Sequence, residues 1–211
     1  MKLRLAKNKD AHSLAAIHLE CGLQQPGGFM FKLGYPFLKA YYKILLKEEK
    51  SIVILAEDRE RKVHGFCSGT LAAEEHVKAL KQHRVKLFIS IIPSLIKNPG
   101  LLKDIIERYR YLNSETDHTK FGTTSGPRNE YWAWLPKSNK SLSIHLFKTW
   151  LNLVYDFGFD RVRGEVDSIN KHIILLHKIL GAKVLGNIDL PDGRQRYYVE
   201  YVNQEGVPKN N

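Results

Sequence analysis

Cysteine is scarce in this chain. Only Cys21 and Cys67 occur among 211 residues, both in apolar surroundings and without CxxC spacing, which excludes a disulfide scaffold and a thiol-ligated zinc site. Two reduced, buried thiols in a cytoplasmic protein are the expectation. The nine histidines do not fall at zinc-ligand spacing, so no metal is expected. Long apolar runs are also missing. The longest, residues 87–96, is too short to cross a bilayer as a helix and contains Pro93, and residues 1–5 alternate charge with apolar side chains, unlike a secretory signal. Neither a P-loop lysine motif nor a Ser, His, Asp order is visible, which argues against a covalent nucleophile. Acids are the scarcer charge: 22 Asp and Glu face 33 Lys and Arg, a net charge of +11. Such a surplus favours anionic partners, whether nucleotide, nucleic acid or lipid headgroup, without choosing among them.

What is present is an ordinary globular composition, 43% hydrophobic, enough for one domain over residues 1–211 with a large insertion. Residues 2–6 read as a short strand. Leu14, Ile17, His18 and Cys21 recur at helical spacing and predict a helix over 11–21, broken at Pro26-Gly27-Gly28. A second helix over 36–46 carries Phe37, Leu38, Tyr41 and Leu45, with Pro36 in its first turn. Residues 51–57 and 63–71, rich in β-branched and aromatic side chains, predict a hairpin across a charged turn. Residues 72–127 then interrupt the order with two or three helices, broken at Pro93 and at Asn98-Pro99-Gly100, followed by a mobile loop from 113. Between His76 and Arg110, eight basic residues oppose Asp104 and Glu107, so over half the net charge lies in this insertion. No nucleic-acid module or interleaved aromatic pattern accompanies it, which argues against nucleic-acid binding.

The stretch from 130 to 182 organises the rest. A strand over 130–135 runs into a polar turn at 137–143, then an amphipathic helix with Leu146, Phe147, Trp150, Leu151 and Val154 on one side. A strand at 162–167 and a helix over 169–180 follow, the helix ended by Gly181. Alternation puts Trp132 and Trp134 on one face of their strand and Tyr131 on the other. Residues 183–188 and 194–202 form a last hairpin, across a turn at 191–193, and 203–211 is a polar tail. A polar turn between strand and helix can build an anion site from backbone N–H groups. It can equally be a plain N-cap at Ser138 or Asn139.

The order strand, helix, helix, strand, strand, insertion, strand, helix, strand, helix, strand, strand resembles the Gcn5-related N-acetyltransferase (GNAT) family. Two stretches carry the resemblance. Ser138-Asn139-Lys140-Ser141-Leu142-Ser143 occupies the place of the family's pyrophosphate turn (Gln or Arg, two residues, Gly, one residue, then Gly or Ala), with serines where the glycines stand. Asn170 through Ala182 is similar to the family's Asn-x-x-Ala-x-x-Leu-Tyr-x-x-x-Gly-Phe, with His177 at the tyrosine position.

The resemblance implies an α/β fold, in which a mixed, mostly antiparallel twisted sheet is flanked by helices and the helical insertion lies between the third and fourth strands. It implies transfer of an acetyl or other acyl group from acetyl-CoA to a primary amine of a small molecule by direct attack. The acceptor would be an amino sugar or a nucleotide-linked amine. Ser138, Asn139, Lys140, Ser141, Leu142 and Ser143 would hold the pyrophosphate and Asn170 the pantetheine arm. Backbone N–H groups at Trp134 and Leu135 would polarise the carbonyl and His177 would protonate the departing thiolate. Glu130 is the first candidate for the base, with Glu165 or Asp167 as alternatives. A non-catalytic acyl-CoA-binding protein on the same fold is the competing reading, and a homodimer is left open.

Overall fold

The computed structural model describes residues 1–24, 28–113, 125–190 and 193–203. Most of the expected mobile loop, the tip of the last hairpin and the tail beyond Asn203 lie outside the described residues. One seven-stranded sheet runs through the chain in the order β1-β2-β3-β4-β5-β7-β6, formed by β1 (Lys2–Leu5), β2 (Ser51–Glu57), β3 (Val63–Thr70), β4 (Arg128–Trp134), β5 (Arg161–Asp167), β6 (Lys183–Asp189) and β7 (Gln195–Val202). Every neighbouring pair is antiparallel except β4 with β5. That is the mixed, mostly antiparallel sheet expected from the element order.

Helices cover both faces. α1 (Ala11–Leu23) and α2 (Gly34–Leu45) pack on one face, where Leu14, Ile17, Cys21, Leu38 and Tyr42 meet Leu55, Phe66 and Ala133. α6 (Lys140–Asp156) and α7 (Lys171–Ile179) cover the other, with Leu146, Phe147, Trp150 and Ile174 against Ile54, Val162 and Val199. The apolar faces read from the sequence are therefore the buried ones. Trp150 is wholly buried and spends its indole N–H on the Ile52 carbonyl, 3.0 Å away.

Among its described residues the insertion forms three helices, α3 (Ala73–Gln82), α4 (Arg84–Lys97) and α5 (Leu101–Asn113). Asn98-Pro99-Gly100 separates α4 from α5 as expected, whereas Pro93 breaks nothing and sits inside α4. The N–H that Pro93 lacks would have reached the carbonyl of Ile89, which lies on the exposed side of α4, where water can serve that carbonyl. Meanwhile Ile91, Leu95 and Leu33 pack together on the inner side. Ser94 Oγ donates to the Leu33 carbonyl at 2.9 Å, tying α4 to the turn before α2. Gly34 has φ of 84°, and a Cβ there would collide with Ser94 Oγ, so glycine is needed on both counts.

A candidate active site where two parallel strands diverge

β4 and β5 share a single registered pair, Arg128 with Arg163. Beyond it the two strands part, so the sheet opens as a V towards their carboxyl ends. Each of these strands runs directly into a helix, β4 into α6 and β5 into α7, so two helix N-termini flank the open end. Adjacent parallel strands with helices at their carboxyl ends are where open α/β sheets place ligands.

The divergence begins at a bulge. Ser68 pairs with Tyr131 but Gly69 with Asn129, leaving Glu130 as the extra residue of β4. A bulge re-aims the side chains around it. Arg128, Glu130, Tyr131 and Ala133 lean towards α1 and α2, while Asn129, Trp132 and Trp134 lean towards α6. Tyr131 stacks flat on His18 of α1, ring centroids 3.6 Å apart, and Trp132 on Phe147 of α6. The expected division of Trp132 and Trp134 from Tyr131 is therefore present. Gly65 on β3 makes room for this arrangement: a Cβ there would run into the Trp134 ring.

The backbone of β4 also alternates. Leu135 N donates to His64 O at 2.9 Å, so the N–H of Leu135 belongs to β3 and is not free to polarise a carbonyl, which corrects that expectation. By the same alternation the N–H groups of Trp132 and Trp134 point at the V, where no strand accepts them. The indole N–H groups of these two residues are buried without a hydrogen-bond partner among the described residues. Buried donors of this kind are rare and costly unless something accepts from them.

At the mouth of the V, Asn139 is the N-cap of α6 and its side chain accepts from Ser141 N at 3.1 Å. The polar turn is shorter than expected. Ser141, Leu142 and Ser143 form the first helical turn, because the cap starts the helix at Lys140. Ser138 N donates to Leu135 O, and Leu142 N to Asn139 O. With Ser141 N taken by the cap, the backbone N–H groups of Asn139 and Lys140, at the cap and the first helical position, are those that a helix start leaves without an intrahelical acceptor. Ser138 itself is held from below: its Oγ lies 2.7 Å from His64 Nδ1, and His64 Nε2 lies 2.7 Å from Asp58 Oδ2. This Asp58–His64–Ser138 chain was invisible in the linear order because its members come from the β2–β3 turn, from β3 and from the β4–α6 loop. Its hydrogen bond to His64 holds the Asp58 carboxyl below the usual range.

His177 lies on α7, 7% exposed, with Nδ1 2.5 Å from the hydroxyl of Tyr201 on β7 and its ring edge-on to Trp132 and Phe147. It thus bridges residues of β4 and β7, the strands on either side of β5. Burial lowers its pKa to about 4 and raises that of Tyr201, so both are neutral at pH 7. α7 ends in a Schellman turn, Gly181 N to Lys178 O and Ala182 N to His177 O, with Gly181 at φ 93° as the sequence indicated. Asn170 occupies the N-cap position of α7, but its side chain makes no capping bond.

The three carboxylates proposed as bases share the α1/α2 face of the V. Glu130 is clamped by Arg128, with Nη2 and Nε at 2.6 and 2.7 Å from Oε1. Glu165 and Asp167 are met by Arg196 at 3.0 and 3.3 Å. Burial opposes the charge of both arginines, yet their neighbouring carboxylates outweigh it and the net shift is upward. His76, supplied by α3 and 1% exposed, completes this floor: its Nδ1 is 2.9 Å from Glu48 and its Nε2 4.0 Å from Glu130. Sequence reading missed Arg128, Arg196, His76 and Tyr201. Arg128 stands two residues from Glu130 on β4, whereas Arg196 on β7 faces Glu165 and Asp167 across the β5–β7 pair, a relation that becomes readable only once strand register is known. Among the described residues no cluster of three or more His, Cys, Asp or Glu could hold a metal ion.

No protein-family model matches the chain, and no curated protein matches its sequence. Solved structures match it along its whole length. YncA from Salmonella typhimurium, solved with its cofactor acetyl-CoA, aligns at TM-score 0.57 and 13% identity over 100% of this chain and 99% of its own. A GNAT-family acetyltransferase from Streptococcus pneumoniae aligns at 0.58 and 13%, over 95% and 98%. A spermidine N-acetyltransferase variant from Vibrio cholerae aligns at 0.57 and 9%, over 100% of both chains. The fold is that of the GNAT acetyltransferases, as the order of elements and the stretch from 170 to 182 implied.

Proposed function

We propose that the protein is an acetyl-CoA-dependent N-acyltransferase of the cytoplasm. The observation that carries this reading is the V between β4 and β5, lined on one side by the backbone N–H groups of Trp132 and Trp134, with the buried, unsatisfied indole N–H groups of the same two residues in the adjoining α6 layer, and closed at its mouth by the start of α6. An acyl-pantetheine chain has carbonyls for such donors and a pyrophosphate for such a helix end. Asn139 and Lys140 would meet the pyrophosphate through backbone N–H groups, with Ser138, Ser141, Leu142 and Ser143 shaping the turn around it, and Asn170 would reach the arm from α7. The N–H groups of Trp132 and Trp134 are available to the thioester carbonyl, which develops negative charge as the amine attacks.

Direct attack forms a C–N bond and breaks the C–S bond. The ammonium proton leaves to a carboxylate, Glu130 first, with Glu165 or Asp167 acting directly or through water as alternatives. With Tyr201 donating its O–H to Nδ1, the His177 ring carries its hydrogen on Nε2 and can donate a hydrogen bond to the departing thiolate, which takes its proton from the attacking nitrogen directly or through water. The acceptor enters from the α1/α2 face. The mixture there of carboxylates with Arg128, Arg163 and Arg196 suits a small, polar amine that also carries hydroxyl or phosphate groups, such as an amino sugar or a nucleotide-linked amine.

Calorimetric titration with acetyl-CoA followed by thiol release against a broad amine panel tests the reading. Saturable 1:1 binding with turnover of at least one amine is expected, and absence of binding overturns it. The burial of His177 beneath Trp132 and Phe147 favours one competing reading, an acyl-CoA-holding protein without catalysis. Tight binding with no turnover across the panel would select that alternative.

A further inference from the structure

α4 has two apolar faces and only one of them is used. Ile91 and Leu95 pack inward with Leu33. On the outward side Val85, Phe88, Ile89, Ile92 and Ile96 are all exposed, from 42% at Ile92 to 76% at Ile96. At helical spacing these five fall within one arc of about 100°. Leu102 and Ile106 repeat the pattern on α5, at 45% and 40%, and a shallow groove of about 510 Å³ runs past them between Pro99, Lys103 and Arg110. Exposed apolar surface of this extent on contiguous helices marks an interaction site.

The border of the surface is cationic. Lys86 and Lys97 lie on one flank of the α4 arc and Arg84 beside the other; on α5 Lys103 and Arg110 fall together on one side of the stripe, with Glu107 beside them 3.9 Å from Lys103, and all five cations are exposed. α4 has no acidic residue. Two such faces brought together about a two-fold axis would set cations against cations, which argues against a second copy of this chain as the occupant. An apolar stripe bordered by Lys and Arg fits an anionic lipid surface, with the stripe entering the acyl boundary and the cations meeting headgroup phosphates. No helix among the described residues is long and apolar enough to cross a membrane, so the contact is peripheral.

We infer that the α4–α5 face of the insertion docks the protein on anionic phospholipid bilayers. The inference stands apart from acyl transfer, since neither α4 nor α5 supplies a residue to the V. Flotation of the full chain with vesicles of phosphatidylcholine plus about one-third phosphatidylglycerol, against pure phosphatidylcholine, provides the test. Partition onto the anionic vesicles alone is expected, weakening by about tenfold or more in the Phe88→Ser/Ile96→Ser variant and falling steeply at high salt. The Lys2→Gln/Lys9→Gln variant, which removes two positive charges at the start of the chain, outside α4 and α5, should partition as the parent does. Because Phe88 and Ile96 are exposed, their replacement should leave the circular dichroism spectrum and melting temperature unchanged, so lost binding would not reflect lost fold. Equal partition of the Phe88→Ser/Ile96→Ser variant would overturn the inference by showing that net charge alone attracts the protein. No partition by the parent would overturn it as well, and a concentration-dependent dimer abolished by the same variant would then assign the face to a second copy.

Discussion

At His177 two demands meet on one side chain. Burial by Trp132, Phe147 and Tyr201 holds the imidazole neutral, with its pKa lowered to about 4, and a neutral ring keeps one N–H able to donate a hydrogen bond to a departing thiolate without itself losing the proton. The His177→Phe variant should therefore bind acetyl-CoA within about twofold of the parent while its turnover falls by roughly 100-fold, the lower end of what loss of one hydrogen-bond donor to developing transition-state charge costs. Calorimetry and thiol release measure the two quantities separately; equal turnover would remove His177 from the reaction. The indole N–H groups of Trp132 and Trp134 make a second residue-level statement. Trp132→Phe keeps the ring against Phe147 and deletes one buried donor. If that donor meets the coenzyme arm, affinity should drop about fivefold, the equivalent of a hydrogen bond worth ~1 kcal/mol. Unchanged or improved affinity would mean that the indole is simply an unsatisfied core group.

Among the elements, α6 and the loop leading into it carry the anion end of the proposed site. Asn139→Ala removes the bond to Ser141 N and should destabilise the fold by ~1 kcal/mol, read as a lower melting temperature. The cap side chain is already spent within the helix, so the effect on coenzyme affinity should be smaller than that of loosening the loop. His64→Ala does the latter, releasing Ser138 from the Asp58–His64 pair, and is expected to weaken acetyl-CoA binding by about fivefold or more with little change in melting temperature. An effect confined to stability would make the Asp58–His64–Ser138 chain a fastening of the β2–β3 turn and nothing else. This is also the scale at which the sequence was most legible. Helical and strand periodicities located both cores, because burial on one face imposes a period that survives without coordinates. Gly181 announced the end of α7 through a backbone conformation that side chains disfavour. Pro93 misled, since a proline's missing donor can be answered by water when the partner carbonyl is on an exposed side. The V was not legible at all: it follows from a bulge at Glu130 and a one-pair register between β4 and β5, and register is a relation between strands that neither strand records alone. Arg196 was missed for the same reason, its partners Glu165 and Asp167 lying on another strand, and Tyr201 because its partner His177 comes from a helix; Arg128 reaches Glu130 on its own strand only because of the bulge between them.

For the whole molecule, each of the two cores holds a buried histidine, His18 in one and His177 in the other, and these couple its stability to pH. His18 sits between α1 and β4, 3% exposed, stacked on Tyr131 with Nδ1 2.7 Å from the Tyr42 hydroxyl. Burial lowers its pKa to about 3, and that of His177 to about 4. In the unfolded chain both titrate near ~6.5. Between these values the unfolded state binds protons that the folded state refuses, so stability is complete above about pH 6.5 and declines as pH falls towards 4. The loss attributable to His177 is at most about 3 kcal/mol, and each kcal/mol should lower the melting temperature of a chain this size by about 2–4 °C. The carboxylates of Asp10 and Asp58, held below their ordinary range by Arg4 and His64, act in the same direction but only at more acidic pH, leaving the window from 6.5 to about 4.5 to the histidines. Melting curves at half-unit steps from pH 8 to 4.5 should therefore be level at first and then slope downward below pH 6.5. His177→Phe should remove part of that slope whatever its effect on turnover. A melting temperature that stays level to pH 4.5 would show that imidazoles at positions 18 and 177 reach water, and with it that the layer between β4 and α7 is open rather than closed around His177.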